Sequence, residues 1–212
     1  MLIISKYFDR YDCFKAMPQF KEFPYSVLVD LSGVFIVNIF DYKKQYTGHL
    51  AFRKMHYVSS GFPNRDALFD EYTMENHLRK HGYSVGFVSD VAIEASQDIS
   101  IKNFLEQRMR YAYENIVFPM RFTFYLSLLP IMLVLYMIDT KIPLILFVTT
   151  SIAITFCGLL GQINYGRYIA PPYTFLFSAI WFWFYPITSW IALYKYLTGG
   201  VYFWGKKVKK AG

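Results

Sequence analysis

Three long stretches without a single charge constrain this chain more than anything else in it. Phe122–Ile138 runs for 17 residues, Ile142–Gly166 for 25 and Tyr168–Tyr194 for 27. About twenty apolar residues span the hydrocarbon core of a bilayer. The second and third runs have that length, and the first is at the short limit. The expectation is an α-rich membrane protein with about three transmembrane helices, anchored in the cell membrane.

Charge is distributed to match. Only 17% of the 212 residues are charged, against about a quarter in an average soluble domain. Residues 1–121 hold 15 Lys/Arg and 14 Asp/Glu, the balance of a water-exposed surface, whereas residues 122–212 hold 7 Lys/Arg and one acid, Asp139. Five of those bases, Lys195, Lys206, Lys207, Lys209 and Lys210, sit near the end. Lysines flanking apolar segments set topology on an anionic leaflet, so the net charge of +7 points to lipid and not to nucleic acid. No apolar leader is visible among Lys6, Asp9, Arg10 and Asp12, which predicts a cytosolic N-terminal region. Cys13 in the polar part and Cys157 in an apolar run are not expected to form a disulfide.

The polar part divides as follows. Residues 1–24 carry no firm element. Val27, Leu28, Leu31, Val34, Phe35 and Ile39 fit one helical face over Tyr25–Phe40, with a strand as the alternative. Turn chemistry at Ser59-Ser60-Gly61 and Pro63-Asn64 precedes a helix from about Arg65 to His81, closed by Gly82. Tyr83–Val88 and Val91–Ile93 read as short strands. From Ser100 to Val117 an amphipathic helix is expected to lie in the membrane interface, with the head of Arg108 snorkelling from its apolar face. The partition is 1–99, a partial cytosolic region; 100–118, the interfacial helix; 119–197, the transmembrane region; and 198–212, a basic tail.

Topology contains a conflict. Three spans starting inside would leave the basic tail outside, against the positive-inside tendency. Pro171, Pro172 and Pro186 allow a re-entrant turn or two short helices in the third run; alternatively the first run only dips into the bilayer. The charge bias favours a cytosolic tail.

Two groups of residues suggest chemistry. Asp70 and Glu71 open a helix, where the dipole alone would favour acids. A carboxylate there could equally serve as general base toward a hydroxyl. Gln107 and Arg110, three apart, share one side of a helix. Arg110 could grip a diphosphate with its forked donors, while Tyr111 stacks on a ring. Arginines facing lipid phosphates are the plainer explanation. His77 and His81 could pair on a metal, though solvated helix positions explain them better. No GxGxxG, GKS/T or zinc-spaced cysteine set occurs.

The ordered set Asp70-Glu71, Gly82-Tyr83, Gln107-Arg108-Met109-Arg110-Tyr111, apolar runs and basic tail resembles the C-terminal half of family 2 membrane glycosyltransferases. That group contains the cellulose, chitin and hyaluronan synthases. There an acidic pair opens a helix ending in a Gly-aromatic pair, and an interfacial QxxRW helix precedes the membrane segments. The resemblance implies a GT-A-like C-terminal part. Counting back eleven positions from Gly82 lands on Glu71 as base, with Asp70 as its neighbour and fallback. Gln107, Arg108, Arg110 and Tyr111 would bind the donor diphosphate and the end of a glycan or lipid acceptor. The acid pair here is DE instead of ED, and Tyr111 stands in place of tryptophan. The DxD that holds Mg²⁺ or Mn²⁺ on the nucleotide sugar has no counterpart; Asp9-Arg10-Tyr11-Asp12 has the wrong spacing. The resemblance therefore implies a separate nucleotide-binding glycosyltransferase chain, and no cofactor within this one. The alternative is a catalytically inactive membrane scaffold or remnant. A channel or transporter is disfavoured, because no charge interrupts the apolar runs.

Overall fold

The computed structural model describes residues 6–41, 49–53, 70–95, 100–199, 201–203 and 206–208. Its polar part is built on a three-stranded sheet of order β2-β1-β3. Strand β1 (Cys13–Gln19) is central. It pairs antiparallel with β2 (Ala51–Phe52) and parallel with β3 (Val85–Glu94). The segment before Pro24, unassigned from sequence, thus supplies the middle strand. The two short strands expected around Asp90 are one strand, whose register shifts opposite Ala16 and Met17.

Helix α1 (Tyr25–Phe40) follows Pro24 and keeps the expected bounds. Buried residues occur around much of it, because the sheet lies on one side and the membrane helices on another. Helix α2 (Asp70–Lys80) covers the sheet through Met74 and Leu78, which pack against Cys13. A buried ion pair reinforces the docking: Lys15 Nζ donates to Glu75 Oε2 at 2.8 Å, and Arg79 also binds Glu75. Gly82, at φ +82°, ends α2. The Tyr83 N–H reaches Leu78 O, and the Gly82 N–H reaches Arg79 O, a closure that needs a left-handed residue. The part of the expected helix before Asp70 lies outside the described residues.

Helix α3 (Ile101–Glu114) begins at Ser100, whose hydroxyl accepts from the Asn103 N–H at 3.3 Å. A short 3₁₀ turn at Asn115–Val117 hands the chain to α4 (Pro119–Ile138). Proline suits a first helical position, where its missing N–H costs nothing. This start lies ahead of the uncharged run, so the shortest run still yields a 20-residue helix. Helix α5 (Lys141–Gly161) returns and runs on through a π-helical turn at Gln162–Gly166. Pro171 and Pro172 fall in the connection to α6 (Ser178–Leu197), while Pro186 is inside that helix. Strands β4 (Val201–Phe203) and β5 (Lys206–Val208) form a hairpin after it.

Three helices are thus long and apolar enough to cross a membrane, and they suggest a bilayer environment. Only 11% of the apolar window is buried in α4 and in α5, against 44% in α6. A core of Val29, Ile36, Phe104, Tyr125, Trp181 and Phe182 joins α1, α3, α4 and α6. The polar part and the membrane part therefore share packing.

Candidate functional site

The candidate residues come from α2 and α3. Glu71 stands one turn before the buried Glu75 and is half-buried, so it lies on the inward side of α2. Asp70 is the first described residue of that helix; its side chain lies outside the described residues.

On α3 the arginines divide. Arg110 Nε donates to Glu114 Oε1 at 2.7 Å. The Glu71 carboxylate lies close enough to act on both Arg110 and Glu114, and also on His49. Glu71 thus stands within electrostatic reach of Arg110. Gln107, one turn earlier, is half-buried.

Arg108 behaves differently. Its head does not snorkel: the side chain is 5% exposed and forms an ion pair with Asp30 of α1. Its guanidinium lies 4.7 Å from the centre of the Tyr111 ring and 5.4 Å from that of Phe104. Tyr111 is packed against the aromatic core, and burial pushes its phenol well above the ordinary range. One face of its ring is already occupied by this chain's own cation.

Two acids were not singled out from sequence. Burial raises Glu114 to about 7, with Arg110 pulling the other way. Burial raises Asp30 to about 6, opposed by Arg108. Both left a signal. Glu114 stands four residues after Arg110, the spacing of a helical ion pair, and Asp30 is the lone acid in an otherwise apolar helix.

Arg121, at the start of α4, acts on Glu114 and extends the cluster toward the membrane. It borders an open cavity of about 480 Å³, which Asp41, Tyr125, Ile154, Trp181 and Phe182 also line. This size falls within the range of about 300–1,000 Å³ typical of ligand pockets. The hollow is largely aromatic and aliphatic, with Arg121 and Asp41 as its charged groups.

His77 and His81 lie with ring centres 4.3 Å apart, and His81 Nδ1 is 2.9 Å from His77 O. Among the described residues no three His, Cys, Asp or Glu side chains gather as a metal set. The site is thus a carboxylate, an arginine–carboxylate pair and a second arginine, next to an apolar hollow. Comparison with protein-family models, curated proteins and solved structures finds no match.

Proposed function

We propose that this chain is the acceptor-side and membrane portion of a glycosyltransferase. It would act with a separate chain that holds the nucleotide sugar, in the cell membrane with its N-terminal region cytosolic. The observation that carries this reading is that Glu71 lies within electrostatic reach of Arg110 and its partner Glu114, two segments far apart in sequence, with Glu71 and Arg110 both singled out by the ordered motifs. The small sheet and α2 would correspond to the GT-A-like C-terminal part.

In this reading Glu71 takes the proton of an acceptor hydroxyl as its oxygen bonds to the anomeric carbon. The bond from that carbon to the diphosphate oxygen breaks, and the nucleoside diphosphate leaves with the electron pair. Arg110 and Gln107 would bind the departing diphosphate, which competes with Glu114 for the guanidinium. Asp70 is the fallback base. Arg108 and Tyr111, held by Asp30 and the aromatic core, would position α3 more than touch the donor. The divalent cation that accompanies a nucleotide sugar would be held by the partner chain.

The test is transfer of labelled sugar by membranes co-expressing this chain with the product of the adjacent reading frame. Glu71→Gln should lower the rate by about 10²-fold or more, the usual scale for losing a general base. Full activity of the Asp70→Asn, Glu71→Gln double variant removes the assigned chemistry.

One observation favours the inactive scaffold as a second reading. Both Arg108 and Arg110 are already neutralised by acids of this chain, as in a purely structural helix. That reading predicts no effect of Glu71 or Arg110 substitutions on any transferase, and loss of partner pull-down when the apolar helices are altered.

A further inference from the structure

Helix α6 is long enough to cross a bilayer, yet its contacts run across the α4–α5 hairpin instead of along it. The hairpin has a base, where α4 begins at Pro119 and α5 ends at Gly161, and a tip at Asp139 and Thr140. At the start of α6, Ser178 lies against Gly158, one turn from the base. Midway, Tyr185 stacks on Tyr125 at 4.8 Å, and Trp190 Nε1 donates to Leu126 O at 3.1 Å. Near its end, Ala192 packs with Phe122 and Ala112, again at the base. Tyr196 is 6.2 Å from Tyr113 of α3. The deepest side chain is Trp183, whose indole stacks on Phe147 at 4.9 Å and donates to Ser151 Oγ at 3.0 Å.

A crossing helix of this length, about 30 Å at 1.5 Å per residue, would finish beside the tip. Instead both ends of α6 stay at the base, and Leu133, Met137, Ile138 and Leu144 near the tip remain exposed. Helix α3 runs beside α6 in the same direction, as the Phe104–Phe184 contact at 5.7 Å and the Tyr113–Tyr196 contact show. Lys102 and Glu106 are exposed on α3 beside the exposed apolar Ile101 and Leu105, a mixture suited to an interface plane. On α6 the exposed Ile187, Trp190, Ile191 and Tyr194 recur at helical spacing, opposite the buried Tyr185, Ser189 and Ala192.

We propose that α6 lies in the near leaflet beside α3, its Ile187-Trp190-Ile191-Tyr194 face turned to lipid, and that the chain crosses the membrane only through α4 and α5. The occupant of that face is the bilayer that the hairpin itself enters. Tryptophan and tyrosine suit the headgroup boundary. The arrangement puts Lys195, Lys206 and Lys207 on the same side as α3, where an anionic leaflet attracts them. It removes the conflict between three spans and a basic tail, whether or not the chain takes part in sugar transfer.

The test uses the full chain with Cys157→Ala, leaving the buried Cys13, in vesicles of phosphatidylethanolamine and phosphatidylglycerol. Lys102→Cys, Thr140→Cys and Thr198→Cys each place one thiol at an exposed site for a membrane-impermeant maleimide. Thr198→Cys and Lys102→Cys should label from one side and Thr140→Cys from the other. Labelling of Thr198→Cys from the Thr140 side overturns the proposal, as does labelling of all three from one side. A nitroxide on Ile187→Cys should report a depth near the lipid carbonyls. A position at the bilayer centre overturns it independently.

Discussion

The side chains that set the chemistry here are buried acids held against arginines. Glu114 titrates near 7 instead of the ordinary 4.5, because burial penalises its charge more than Arg110 relieves it. The folded state therefore binds that proton more tightly than the unfolded chain does. The resulting stabilisation is full below about 4.5 and is lost as pH rises through about 7. Glu114→Gln should gain stability relative to the parent on going from pH 5 to pH 8, on the order of 3 kcal/mol, read as thermal unfolding in micelles. A pH-independent difference removes the assignment. The Asp30–Arg108 pair leads to a second prediction. Asp30→Asn strands a buried guanidinium and should cost about 3–5 kcal/mol. Among the described residues Arg108 Nε and Nη1 have no hydrogen-bond partner, so the Asp30→Leu, Arg108→Leu double variant should recover most of that loss in the same assay.

Elements pack closely here because small residues let them. Gly33 of α1 faces the indole of Trp181, and a Cβ there would collide with the ring. Alanine normally improves a helix interior over glycine by about 1 kcal/mol. Here Gly33→Ala should instead destabilise by about 1–3 kcal/mol, the cost of overpacking, and Trp181→Leu in the same chain should relieve it. Gly161 and Gly166 meet Phe35 in the same way, so α1 is clamped against the end of α5. Helices α1, α2 and α3 were legible in sequence because period and caps agree: Pro24 before α1, Ser100 before α3, Gly82 after α2. Strand β1 was not. Its buried stretch contains Lys15 and Pro18, which look like surface until Glu75 arrives from another part of the chain.

At the scale of the molecule, one core is common to the polar part and the membrane part. Val29, Ile36 and Phe104 pack directly on Trp181 and Phe182. A chain ended at Arg167 should therefore expose that face and precipitate or be degraded, while the full chain stays monodisperse in detergent. A soluble, cooperatively unfolding 1–117 fragment, seen by circular dichroism, would contradict this sharing of the core.

Three lengths of uncharged chain were enough, by themselves, to dictate helices suited to a membrane, since a bilayer tolerates no unsatisfied backbone. Local caps and spacing likewise determined where α1 and α3 begin and where α2 ends. Tertiary structure alone decided that Glu71 comes within electrostatic reach of Arg110, that Arg108 turns inward to Asp30, and that α6 lies across the hairpin base. Those outcomes depend on contacts between distant segments, and hydrophobicity sums over a window carry no record of which face meets which partner.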